Sequence, residues 1–263
     1  MWLVLCGAAD KAAHWAYAEL RRAGLEPLHI VAEEALAMPI AFEHRLSIRG
    51  VSTRLQLASG LVINSHEIEG VLNRVVGVPA LHLYQAAPPE RDYALQELYA
   101  LYLSWLAGLP APVLNRPSPL GLSGPVLHAS TWMALAAAAG LDIGTYCLAD
   151  DDLAAIESPG AAMFGSPFAP AWAAGDSASA DGRATVIVTS GRVVGSDPPA
   201  PVRGGCLALA RRAGLDLMGA EFRVKGGSWR FEGATALPDL RQGGPALIDA
   251  LLEVWAGSPE AGA

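Results

Sequence analysis

The chain is predicted to be an α/β protein: an open sheet, followed by an α+β domain. Three observations predict it. The first thirty residues run strand, helix, strand; two later apolar strands each end in Asn-Arg; and the C-terminal third carries an antiparallel hairpin between two helical stretches. Alternating β and α elements point to a parallel sheet, whereas a hairpin beside helices points to an antiparallel one.

Trp2 to Cys6 is an apolar run of strand length. Asp10 is placed to cap a helix running to about Arg22, with Gly24 as its stop. Leu28 to Val31 is the second strand. The intervening turn, Gly7-Ala8-Ala9-Asp10, has no GxGxxG, so dinucleotide binding gains no support. Alternation through His44–Arg49 and Thr53–Leu57 predicts a hairpin within 43–63, turned at Gly50. A strand from Gly70 to Val76 follows. Between Arg91 and Ala107, Tyr93, Leu95, Leu98, Leu101, Tyr102, Trp105 and Leu106 recur at helical spacing, and Gly108 and Pro110 stop the helix.

The next strand, Pro112-Val113-Leu114-Asn115-Arg116-Pro117, repeats the pattern of Val71-Leu72-Asn73-Arg74. In open α/β sheets ligands collect outside the carboxyl ends of strands, and guanidinium grips carboxylate or phosphate in a fork. Arg74, Asn115 and Arg116 are therefore candidate substrate-binding residues. The alternative is that one or both arginines pair with a helix acid such as Glu97 and fix the architecture. Further along come a helix at Ser130–Ala139, a strand at about Ile143–Leu148 and an acidic run at Asp150–Asp152. A Gly/Ala/Pro/Ser-rich stretch, Ser158–Gly182, is expected to be an irregular loop. Strands at Ala184–Thr189 and Arg192–Val194, a helix at about Gly205–Ala213 and a last helix at Pro245–Trp255 complete the order.

In the hairpin itself, Gly226-Gly227 serves as a two-residue turn, so Val224 pairs with Trp229, Phe222 with Phe231, and Glu221 falls opposite Glu232. One face is apolar and the other charged. Two carboxylates facing each other repel unless a cation, a proton or arginines stand between them. Paired acids are also how phosphate-handling enzymes hold magnesium. Glu221 and Glu232 are thus candidate metal ligands, the alternative being a surface hairpin whose acids are offset by Arg223 and Arg230.

Composition sets the context. With 263 residues, 52% hydrophobic and 17% charged, the chain is long enough for a substantial core in one large or two ordinary domains. Its formal net charge of −8 argues against non-specific nucleic-acid binding. The opening Met1–Gly7 is too short for a signal peptide, and no run of apolar residues approaches a membrane span, so a cytoplasmic protein without membrane association is expected. The three cysteines, Cys6, Cys147 and Cys206, form no CxxC pair and are expected in the core. No GxSxG elbow exists, since Gly121-Leu122-Ser123-Gly124-Pro125 lacks the second glycine position; there is no P-loop, HxH or HExxH.

The order of features resembles the ATP-grasp superfamily, in particular ligases related to glutathione synthetase and the microviridin-type peptide ligases. Val71–Arg74 is similar to the arginine-ended strand of their pre-ATP-grasp domain, and Val113–Pro117 to the strand leading into the next helix. Arg211–Leu215 through Gly219-Ala220-Glu221 to Trp229–Glu232 resembles their helix, GLxxxGxD and FLEVNPxP ending. The resemblance implies a pre-ATP-grasp-like domain over 1–118 and a shortened ATP-grasp-like domain over 119–263. It implies ATP and magnesium as cofactors, with metal on Glu221 and Glu232 and nucleotide contacts from Arg241. The substrate would be a peptide or small carboxylate, and the assembly a homo-oligomer, a dimer. Two departures stand out: Ala234 occupies the place of the family's metal-binding Asn, and only Lys11 and Lys225 are available as lysine phosphate clamps. Two functions follow: a divergent ATP/Mg-dependent carboxylate–amine ligase, or an inactive ATP-grasp-like protein that binds a peptide or a partner enzyme.

Overall fold

The computed structural model describes residues 1–48, 50–78, 83, 85–144 and 182–256. These group into two compact units, Met1–Pro125 with the C-terminal stretch from Ile248, and Val126–Leu247.

The first unit opens as the βαβ pattern requires: β1 (Trp2–Cys6), α1 (Lys11–Arg22) and β2 (Leu28–Ala32). Asp10 caps α1, its carboxylate accepting from the backbone N–H groups of Ala12 and Ala13, both at 3.0 Å. Ala12, Ala13, Ala16 and Leu20 turn inward from α1, a stripe at helical spacing. A short helix α2 (Glu33–Ala37) follows β2 directly; its five residues leave no periodicity to read in the sequence. Next come β3 (Ala41–Ser47), β4 (Gly50–Gln56), β5 (Val62–Asn64), β6 (Gly70–Arg74), α3 (Pro88–Ala107) and β7 (Val113–Leu114). The hairpin expected between Glu43 and Ile63 is thus a three-stranded antiparallel sheet, β3-β4-β5, turned before Gly50, whose φ of 115° suits glycine.

The main sheet of this unit is parallel, in the order β2-β1-β6-β7. After β1 the chain moves outward to β2 and then returns to place β6 on the other flank of β1. That reversal is a topological switch point, the place where open α/β sheets ordinarily take their ligands. Leu3, Leu5, Val71 and Val113 from the sheet pack with Tyr102, Trp105 and Leu106 of α3 in one core. Phe42 of β3 meets Tyr102 and Trp105 edge-on, with ring centroids 5.8 Å apart in each case.

The second unit holds α4 (Ala129–Ala138), β8 (Gly182–Thr189), β9 (Arg192–Gly195), α5 (Ala200–Ala213), β10 (Leu217–Lys225) and β11 (Ser228–Thr235). Its sheet is antiparallel, in the order β11-β10-β8-β9. The apolar face of this sheet, with Val186, Val188, Met218, Ala220, Phe222 and Phe231, packs on Trp132 and Met133 of α4 and Cys206 and Leu209 of α5. Helix α5 begins at Ala200, earlier than the expected Gly205, because Pro201 is a favourable first-turn residue; it ends at Gly214 in the left-handed conformation with φ 66°. Helix α6 (Gly244–Ala256) closes the described chain.

Of the expected strand at 143–148, residues 143 and 144 carry no strand and the rest lies outside the described residues. The acidic run 150–152 and Cys147 lie outside them too. So does the expected loop 158–182, except Gly182, which begins β8. Cys6 and Cys206 are buried free thiols, raised by burial to about 11 and about 12 respectively, which fits core residues and not nucleophiles. No helix among the described residues is long and apolar enough to cross a membrane.

Candidate functional site

The polar face of the second unit's sheet gathers the acids. Gly226 and Gly227, with φ of 56° and 81°, form the two-residue turn, and the register runs Lys225–Ser228, Val224–Trp229, Arg223–Arg230 and Phe222–Phe231 as expected. The next step departs from expectation. A β-bulge places Glu221 opposite Gly233, so Glu232 is the extra residue of β11 and the two glutamates are diagonal neighbours. The bulge relieves the head-on repulsion that a regular ladder would impose, and it frees Glu232 to meet Arg223 at 2.6 Å.

Glu221 is half-buried. Thr185, its partner across β8, donates its hydroxyl to Glu221 Oε2 at 2.8 Å. Burial raises the Glu221 carboxyl above its ordinary value; the Thr185 hydrogen bond opposes this, and the charges of Glu232 and Asp239 add to it. A cation at this face would therefore stabilise the ionised form. Among the described residues no three His, Cys, Asp or Glu side chains come together as a ready metal cage. Magnesium, however, is ordinarily held by one or two carboxylates plus phosphate oxygens and water, and this pair fits that pattern. Ala234 packs partly buried against the apolar cluster, so the position where the resemblance calls for a ligating Asn belongs to the core side of β11.

Arg241 stands in the turn of 3-10 helix at Leu240–Gly243, gripped by Asp239 through Nε at 2.8 Å and Nη2 at 2.6 Å. Asp239 also caps that turn by accepting from the Arg241 N–H. Both residues are thereby held in one fixed arrangement beside the same unit's sheet.

In the first unit, the strand-end residues are placed at the carboxyl edge of the parallel sheet, each with a hydrogen-bond partner within the unit. Arg74 is 5% exposed and its Nε donates to Asp10 at 2.6 Å, the acid that caps α1. Burial would raise Asp10, but the hydrogen bonds from Arg74 and from the N–H groups of Ala13 and Ala12 outweigh it, so the carboxyl sits below its ordinary range. Arg116 donates to the carbonyls of Ala107, Leu109 and Ala111, following the C-terminal end of α3. Asn115 is 1% exposed and its carbonyl accepts from Asn73 Nδ2 at 2.8 Å. Each arginine is thus engaged within the first unit, Arg74 by Asp10 and Arg116 by backbone carbonyls.

Several residues of these sites gave no signal in the sequence. Thr185 finds Glu221 only through a pairing 36 residues apart, and Asp10 finds Arg74 across 64. Asn73 is buried, donating to the carbonyls of both Asn115 and Leu122 at 2.8 and 2.7 Å. Glu33 accepts the Val76 N–H at 2.5 Å at the same strand ends, where burial and the Glu34 charge raise its carboxyl.

No family model and no curated protein sequence matches the chain. Solved structures do. The macrocyclase MdnB from Microcystis aeruginosa MRC superposes with a TM-score of 0.65 at 12% identity, over 98% of this chain and 99% of that one. The ATP-grasp ligase PsnB, complexed with a phosphomimetic variant of its minimal precursor, Mg and ADP, gives 0.66 at 16% identity over 96% and 98%. A RiPP-associated ATP-grasp ligase from Chryseobacterium gregarium, in complex with ADP and a leader and core peptide, gives 0.62 at 10% over 98% and 97%. The chain has the fold of the ATP-grasp ligases.

Proposed function

We propose that this chain, on its ATP-grasp ligase fold, is an ATP- and magnesium-dependent ligase that joins a carboxylate of a peptide to a nucleophile such as an amine. In this reading the first unit is the pre-ATP-grasp-like domain and the second the ATP-grasp-like domain. The observation that carries the proposal is the Glu221–Glu232 pair: two diagonal carboxylates on the polar face of an antiparallel sheet, one with its proton affinity raised by burial and by its neighbour. The structurally similar ligase PsnB supports the substrate class, since it was solved with minimal precursor, Mg and ADP.

Glu221 and Glu232 would hold the magnesium, which when bound neutralises charge on the transferring phosphates. Thr185 holds Glu221 through its hydroxyl, which donates to Oε2. Arg223 sets Glu232 in place and remains about half exposed, so it can offer a second donor to an anion arriving at the same face. Carboxylate activation as an acyl phosphate is mainly positioning and charge neutralisation, which such a face can supply without a nucleophilic side chain. Arg241, in the fork of Asp239, is the proposed nucleotide contact. Arg74, Asn115 and Arg116 take the part of positioning residues for the strand ends.

A second reading, an inactive ATP-grasp-like protein that binds a peptide or a partner enzyme, is favoured by Ala234 and by the Arg223 already seated on Glu232. Phosphate release from ATP with a peptide bearing Glu or Asp side chains separates the two. Magnesium-dependent turnover lost in Glu221→Gln supports the ligase; peptide binding with no turnover supports the second reading.

A further inference from the structure

The hairpin register sets three arginines in one row. Arg223 of β10 pairs with Arg230 of β11 on one side and with Arg183 of β8 on the other. They lie on the polar face of the sheet: Phe222, Val224, Trp229 and Phe231, the chain neighbours of Arg223 and Arg230, belong to the apolar cluster beneath, and Arg183 shares its side of β8 with Thr185. All three are exposed, the Arg223 and Arg230 side chains by 47% and 52%. Like charges directly opposite each other across a strand pair are destabilising, and this row contains two such pairs in a chain whose formal net charge is −8. The acids at hand offset it only in part. Glu232 meets Arg223 at 2.6 Å, and Asp142 stands 3.9 Å from Nε of Arg230. Each guanidinium carries five N–H donors, so most of the row's donors stay open to an incoming anion.

The row lies one pleat nearer the Gly226-Gly227 turn than Glu221 and Thr185, so it flanks the carboxylate pair without sharing its register. We propose that Arg183, Arg223 and Arg230 form a specificity site for acidic peptides, holding carboxylates that do not react while the reacting one lies at the Glu221–Glu232 face. This rests on the peptide-directed reading above and adds to it the charge pattern of the peptide. Neighbouring strands are about 4.8 Å apart, so the row spans roughly 10 Å. An extended peptide laid across the strands presents side chains i and i+2 on one side, roughly 6.7 Å apart. Two carboxylates at alternate positions therefore fit within the row, each taken by a guanidinium fork. Three arginines in place of lysines suit this role, since the planar fork matches a carboxylate and a lysine offers only a point charge. Binding energy gained at such non-reacting positions orients the group that does react.

Fluorescence anisotropy on the full chain, without ATP or magnesium, is the test. The probes are a labelled peptide with Glu at every second position and the same peptide with Gln in their place. The Glu peptide is expected to bind saturably, more weakly as salt is added because the row is exposed, and the Gln peptide to bind at least about tenfold more weakly. Arg183→Gln, Arg223→Gln and Arg230→Gln should each weaken the Glu peptide about tenfold, the loss of one charge-assisted contact, whereas Arg212→Gln on α5 should leave it unchanged. Arg183→Gln should also melt no lower than wild type, since it removes a like-charge contact, so its weaker binding does not come from unfolding. Equal affinity for the two peptides, no binding of the Glu peptide, or row variants that bind it as wild type does would each overturn the proposal. So would inorganic phosphate that binds the row more tightly than the Glu peptide, which marks a phosphate clamp. Binding of the Glu peptide through the row by a chain that takes up no Mg-ATP would support the site and remove only the ligase reading.

Discussion

Replacing Arg74 by Met separates an architectural role from a substrate-binding one. The Arg74 side chain is 6% exposed and Asp10 20%, with Nε to Oδ2 at 2.6 Å. Breaking a buried pair by removing one partner costs ~3–5 kcal/mol, and the low end applies because Asp10 keeps some solvent and its two backbone donors. A loss of about 3 kcal/mol in a chain of this size lowers Tm by ~6–12 °C. The assay is urea and thermal unfolding of wild type, Arg74→Met, Asp10→Asn and the double variant, whose cycle isolates the coupling. The sign of the pH dependence follows from Asp10. Its folded-state pKa lies below the ordinary 3.8, so its contribution is whole above that value and is lost as pH falls through the lower folded one. The wild-type advantage should therefore hold at neutral pH and shrink in strong acid. An Arg74→Met protein with unchanged Tm and lost peptide or anion binding would refute the architectural assignment.

Further outcomes follow from single contacts. Gly70→Ala would set a Cβ 2.5 Å from Cδ1 of Trp255, a ring only 6% exposed, so thermal melts should show a loss of ~1–3 kcal/mol from overpacking. Asn73→Ala strips the donor from the carbonyls of Asn115 and Leu122, and each orphaned buried group costs about 1–3 kcal/mol, measurable by urea titration. In chelator, Glu221→Gln should raise stability at neutral pH, because the folded-state pKa is raised and the ionised form opposes folding; the gain should vanish as pH falls below the ordinary 4.5, and equal melts at both pH values would contradict this.

Much of the fold was legible because it rests on local signals. Asp10 announced the first helix, the Gly226-Gly227 turn set the hairpin register as far as Phe222–Phe231, and the Asn-Arg strand ends marked β6 and β7. The bulge at Glu232 was not legible, since period-2 alternation continues through it on paper; only the packing of Ala220 and Ala234 on the core side forces the extra residue outward. Nor could the sequence tell which acid would meet Arg74. That choice is made by the switch-point topology, which sets the start of α1 beside the end of β6. The spacing of the hairpin singles out Glu221 and Glu232 as candidates, whereas Thr185, the hydrogen-bond partner of Glu221, depends on a strand pairing with no short-range trace.

Magnesium and ATP at the Glu221–Glu232 face are tested by calorimetric titration of the whole chain with Mg-ATP, repeated on Glu221→Gln and Glu232→Gln. Saturable binding that requires magnesium is expected, lost or weakened at least tenfold in each variant, with a thermal stabilisation of about 2.7 kcal/mol when ligand reaches a hundred times its Kd. Wild type that binds no Mg-ATP, or binding that both variants leave intact, would contradict it.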